Sequence, residues 1–131
     1  MTLTPHSAYQ PYEPARRPGG RPEEIPAFRI LIHRQFKHHY AELASRVGIQ
    51  QAQQFWDHIS QTPGKPSPVA SITILRGKAG KPLADGWSRT HHYELTGAAR
   101  ADYQYCHDYR TSNEGDPHPV VAILTLNYSS H

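Results

Sequence analysis

The stretch Val120-Val121-Ala122-Ile123-Leu124-Thr125-Leu126 constrains this chain more than any other. It carries no charge and is apolar on both of its alternating faces, so it reads as a strand covered from above and below. Such a strand belongs in the middle of a sheet and demands neighbours, which the rest of the chain has to supply.

Candidate neighbours are legible on both sides of a helical segment. Phe28, Ile30 and Ile32 alternate with Arg29, Leu31 and His33, a short strand with one apolar face. Farther on, Val69 to Leu75, Thr90 to Leu95 and Ala101 to His107 are rich in β-branched and aromatic residues, with a turn at Thr96-Gly97. Between the first strand and this meander the apolar period changes. Phe36, Tyr40, Leu43, Ala44 and Val47 form one helical stripe, and Ile49, Ala52, Phe55, Trp56 and Ile59 form another. Gly48 separates the two stripes, and Pro63-Gly64 ends the second. The expected fold class is α+β: an N-terminal strand, then a two-helix hairpin packed on one face of a mainly antiparallel sheet of four or five strands.

Six of the twelve prolines precede Ala27, in a polar segment whose aromatics are Tyr9 and Tyr12. A segment of that composition has little apolar surface to offset its ordering entropy. Residues 1–27 are therefore expected to be a Pro-rich disordered or extended tail, and 28–131 the folded domain of about 100 residues.

The net charge is +3 with 14 Lys and Arg against 11 Asp and Glu. In the tail Arg16, Arg17 and Arg21 balance Glu13, Glu23 and Glu24, and the surplus of cations lies between residues 28 and 111. A mildly basic domain suits a polyanion or an acidic protein, or is simply soluble. Cys106 is the single cysteine, which excludes an intrachain disulfide and a cysteine-rich zinc site. No HxxxH or HExxH spacing occurs among the ten histidines, so neither a metal site nor another cofactor is expected. No run approaches the roughly 18 apolar residues of a membrane span, and the N-terminus lacks a signal-like apolar core. The expected location is the cytoplasm, away from membranes.

Strand, helical hairpin and antiparallel meander, in that order, resemble the RelE/ParE superfamily, the small toxins of bacterial type II toxin–antitoxin systems. Local features point the same way: Leu75 and Gly77 before a basic loop, Trp87 opening the next strand, and the spacing Gly97-x-x-Arg100-x-x-Tyr103. The likeness covers about residues 28–131. It implies a toxin, most directly a metal-independent, ribosome-dependent mRNA endonuclease whose partners are an antitoxin protein and ribosome-bound mRNA. The alternative on the same fold is a non-catalytic nucleic-acid- or protein-binding module, gyrase inhibitors included.

Cleavage of RNA by its own 2′-hydroxyl needs a base, an acid and cations around the phosphorus, roles that histidine and arginine suit. His91 and His92 point to opposite faces of one strand. His92 shares its face with Glu94, whereas Tyr93 and Leu95 mark the core side, so His92 is the candidate proton carrier. By resemblance Arg100 is the first candidate for phosphate contact, with a structural arginine paired to Asp102 or Glu94 as its alternative. Resemblance also implies a C-terminal proton-transfer group, for which Tyr128 and His131 are the counterparts. Arg76, Lys78 and Lys81 in the Gly-rich loop, with Arg89 beyond Trp87, complete the expected nucleic-acid-binding set.

Overall fold

The computed structural model describes residues 9–111 and 115–129. Its architecture is α+β, with a six-stranded open sheet and three helices. The strands are β1 (Tyr12–Pro14), β2 (Arg29–His33), β3 (Ile72–Ile74), β4 (His91–Glu94), β5 (Arg100–Tyr109) and β6 (His118–Asn127), in the spatial order β1-β2-β6-β5-β4-β3. All neighbours are antiparallel except β2 and β6, which run parallel with Ile30 opposite Val121. The sheet is thus mixed, and it has one strand more than expected.

β6 is interior to the sheet, and Val120, Val121, Ala122 and Ile123 are fully buried. Val121 and Ile123 face the main core, while Val120 joins Leu31, Cys106 and Tyr9 on the other side. A strand with apolar residues on both faces is stable only when both are covered, and here two separate clusters do so.

The helices are α1 (Lys37–Ala41), α2 (Leu43–Val47) and α3 (Ile49–Gln61). Leu43, Val47, Ala52, Phe55, Trp56 and Ile59 form the buried stripe that lies on Ile30, Ile32, Tyr93, Tyr103 and Ile123. What reads in sequence as one helix before Gly48 is broken at Glu42, whose φ of −93° and ψ of 1° leave the helical region. Gly48, at φ 93° and ψ 146°, lets the chain turn sharply into α3 in a backbone region that side chains disfavour.

Of the two forms expected for the segment before Ala27, disordered or extended, the described part is extended. Residues 1–8 lie outside the described residues, but from Tyr9 onward the segment is part of the fold. β1 adds to the free edge of β2, with Glu13 opposite Ile32, and Ala15 N–H donates to Ile30 O at 2.9 Å. Helix side chains then take up the arm's carbonyls. Trp56 Nε1 donates to Ala15 O at 3.0 Å, Tyr40 Oη to Arg16 O at 2.5 Å, Gln53 Nε2 to Pro18 O at 3.1 Å and Gln61 Nε2 to Ile25 O at 2.8 Å. Arg17 grips both carboxylate oxygens of Asp57, at 2.7 and 3.0 Å. The ordering entropy of a Pro-rich arm is low to begin with, and hydrogen bonds of about 1 kcal/mol each, together with burial of Tyr9 and Ala15, offset it.

Candidate functional site

β4 and β5 are paired with His92 opposite Asp102 and Glu94 opposite Arg100. Side chains alternate along both strands, so Tyr93, Ala101 and Tyr103 go into the core under the helices. The opposite, open face carries a row of cross-strand polar pairs: Gln104 with Thr90, His92 with Asp102, and Arg100 with Glu94. Thr73 of β3 lies opposite His92, and Thr125 of β6 lies opposite Asp102, so this row sits in a polar band across four strands.

His92 Nδ1 donates to Asp102 Oδ1 at 2.5 Å, with both side chains about a quarter exposed. The carboxylate selects the tautomer with its proton on Nδ1, which leaves the Nε2 lone pair of a neutral ring free to accept one. That is the arrangement of a general base held in orientation by an acid. Strand alternation alone pairs His92 with Glu94 and does not find Asp102 as the orienting partner. The signal for it is the spacing across the turn: once Thr96–Ala99 closes the hairpin, register places residue 102 beside residue 92.

Arg100 is committed to the turn. Its Nη1 donates to Thr96 O at 2.7 Å and Ala99 O at 3.1 Å, and Nη2 lies 3.6 Å from Glu94 Oε1. The structural pairing with Glu94 is what the geometry shows, at the rim of the same face as His92. Tyr128 is on the other face. Its hydroxyl donates to the His39 carbonyl, its ring stacks on His39, and the Arg46 guanidinium lies 5.5 Å from the ring centre. Burial, with the charge of Glu42 adding to it and Arg46 opposing it, pushes the phenol up to about 12. The sheet itself therefore separates Tyr128 from His92. His131 lies outside the described residues.

The basic loop approaches the open face through Gln104, which is buried and fully used. Its Nε2 donates to Lys81 O at 2.8 Å and to Thr90 Oγ1 at 3.0 Å, and its Oε1 accepts from Leu83 N–H at 2.9 Å. Gln104 is two residues from Asp102, about 7 Å along the strand. Arg89 does not face outward: Nε donates to Leu75 O and Nη2 to Gly77 O, both at 2.9 Å, so it holds the loop in place. Arg76, Lys78 and Lys81 are exposed, and none of them forms an ion pair among the described residues.

His91 is buried on the core side, with Nδ1 donating to Arg89 O and its ring against Tyr103 and Tyr105. Burial lowers its pKa, as it does that of His58 on α3, whose ring lies against Tyr93. Cys106 is buried, and burial pushes its thiol up, which suits packing and not nucleophilic attack. Among the described residues no three His, Cys, Asp or Glu side chains are grouped as metal ligands, and no helix is long and apolar enough to cross a membrane.

Set against protein-family profiles, curated proteins and solved structures, the chain matches none.

Proposed function

We propose that the chain is a RelE/ParE-like toxin of the cytoplasm that acts on ribosome-bound mRNA through the open face of its sheet, and is held in check by an antitoxin protein. The observation that carries this reading is the His92–Asp102 pair, a proton acceptor oriented by a carboxylate on a solvent-facing sheet. The chain order of strand, helices and meander and the three exposed cations of the adjoining loop support it.

In the proposed reaction His92 Nε2 takes the proton of an RNA 2′-hydroxyl, and the 2′-oxygen attacks the adjacent phosphorus. The bond to the 5′-oxygen breaks, and that oxygen leaves with a proton from water. The products are a 2′,3′-cyclic phosphate and a 5′-hydroxyl, and the imidazolium returns its proton to solvent. Arg76, Lys78 and Lys81 attract the strand, and Arg100, anchored by two carbonyls, places a fixed positive charge at the rim.

A second reading, a non-catalytic nucleic-acid- or protein-binding module, is favoured by one observation: Tyr128 is on the helix side, so no phenol converges with His92. Incubating purified protein with translating ribosomes separates the two. Cleavage of the message by the wild type, lost in His92→Ala and reduced in Asp102→Asn, supports the enzyme. Intact message together with unimpaired growth of bacteria expressing the protein overturns it.

A further inference from the structure

The arm that packs against α3 creates a second basic site that the open face does not include. An open cleft of about 1100 Å³ lies between the arm, the start of β2, α3 and the start of β6. Arg16, Arg17, Arg21, Arg29 and His118 line it, and none of its lining residues is an acid. Phe28, Ile30 and Trp56 supply an apolar wall.

The charges in this cleft are unevenly satisfied. Arg17 is neutralised by Asp57, with Nη1 also reaching toward the carbonyls of Gly20 and Arg21 at 3.4 Å. Arg29 is oriented by Tyr9, donating to its hydroxyl at 2.8 Å with the guanidinium 5.6 Å from the ring centre. The same hydroxyl lies 2.9 Å from His118 Nε2. The guanidinium groups of Arg16 and Arg21 form no ion pair among the described residues. A fold that commits backbone and side-chain bonds to ordering an arm, and thereby gathers three guanidinium groups without a carboxylate partner (Arg16, Arg21 and Arg29) around a concave space, concentrates positive potential there.

We propose that this cleft binds a nucleotide phosphate. A single carboxylate is matched by one guanidinium, as Asp57 is by Arg17. Several forks around one space fit a group with many anionic oxygens, which phosphate supplies in bidentate geometry. The volume and the apolar wall call for a further flat or apolar part beside the phosphates, which a nucleoside provides. This site is separate from the His92–Asp102 pair. His118 and Thr125 mark the two regions on β6, seven residues and roughly 23 Å apart along the strand. It stands or falls independently of the cleavage proposed above.

The test is calorimetric titration of the full chain with adenosine diphosphate, pyrophosphate, adenosine and a 5′-phosphorylated RNA tetranucleotide. Adenosine diphosphate is expected to bind more tightly than pyrophosphate, and adenosine alone not to bind. Arg16→Gln with Arg21→Gln is expected to weaken binding on the order of tenfold or more, with an unchanged melting temperature because both side chains are exposed. Lys78→Gln with Lys81→Gln, on the open-face loop, is expected to leave the binding of adenosine diphosphate unchanged. A tetranucleotide that binds more tightly than the diphosphate, and only with its 5′-phosphate, assigns the cleft to a strand end; equal or weaker binding assigns it to a free nucleotide. The proposal is overturned if no phosphate probe binds, if the loop variant loses as much as the arginine variant, or if a hexaglutamate peptide competes as well as the diphosphate.

Discussion

The loop that brings Arg76, Lys78 and Lys81 to the open face depends on one close approach, and Gly80→Ala tests it. A Cβ at Gly80 would stand 1.9 Å from Leu75 O, 2.6 Å from Leu75 C and 2.8 Å from Arg89 Nη2. Ordinary carbon contacts begin at about 3.5 Å, so the carbonyl has to retreat by about 1.5 Å. That carbonyl accepts from Arg89 Nε, and the neighbouring main-chain bonds tie Leu75 N–H to Thr90 O and Thr90 N–H to Gly80 O. Overpacking costs about 1–3 kcal/mol, and loss of a charged bond to Leu75 O about 1.5–3 kcal/mol. The expected destabilisation is about 3 kcal/mol or more, the low end applying where the loop yields locally. Two glycines serve as controls. A methyl group at Gly97 would meet no atom within 4 Å, and the residue has no positive φ, so Gly97→Ala should stay within about 0.5 kcal/mol. Gly77 has open space but a φ of 62°, so Gly77→Ala should cost about 1 kcal/mol for backbone strain alone. Urea unfolding at a common pH gives all three, and amide exchange at Thr90 reports the loop itself. A Gly80→Ala protein as stable as Gly97→Ala, with Thr90 still protected, would refute the packing of loop on sheet.

Two further perturbations probe the arm and the buried histidines. Trp56→Phe removes the donor to Ala15 O and leaves that buried carbonyl unpaired, at about 1–3 kcal/mol; limited tryptic digestion should then cut after Arg16, the one arginine of the arm not followed by proline, faster than in the wild type, and equal rates would show that the arm is not held this way. His91 and His58 have pKa values lowered by burial, so below about 6.5 the unfolded chain takes up protons that the folded one resists, and stability falls as the pH drops. His91→Asn should flatten the difference between urea midpoints at pH 7.5 and pH 5.5, and an undiminished slope would place the titration elsewhere.

Most of the sheet was legible because its strands announce themselves by alternation. Tyr93 and Leu95 mark the core face of β4 and leave His92 and Glu94 outside, as the structure has them. The two apolar stripes on either side of Gly48 likewise give the helical cover, although the break at Glu42 has no counterpart in the pattern. Periodicity reports where apolar side chains go and is silent about the backbone. The arm was unreadable for that reason: what holds it is an unpaired edge on β2 and donors on α3, neither of which is a property of residues 9–27 themselves. The exposed-looking side of α3, with Gln53, Asp57 and Gln61, was the signal. A helix whose polar face is rich in amides beside a Pro-rich segment has the donors that such a segment's free carbonyls need.

The same asymmetry governs the two basic regions. Judged by residue type, Arg89 and Arg100 belong with Arg76, Lys78 and Lys81, yet both of the former commit their guanidinium groups to backbone carbonyls of adjacent turns. Conversely Arg16 and Arg21 look balanced by Glu13, Glu23 and Glu24 when charges are summed along the segment. In space Glu13 pairs with Lys37, and the glutamates at 23 and 24 lie outside the wall of the cleft. Net charge over a stretch of sequence decides solubility and steering over distances beyond the Debye length, about 8–10 Å in physiological salt. Inside that length the pairing of individual groups decides, and the arm, whose charges cancel when summed in sequence, contributes Arg16 and Arg21 without carboxylate partners to the cleft.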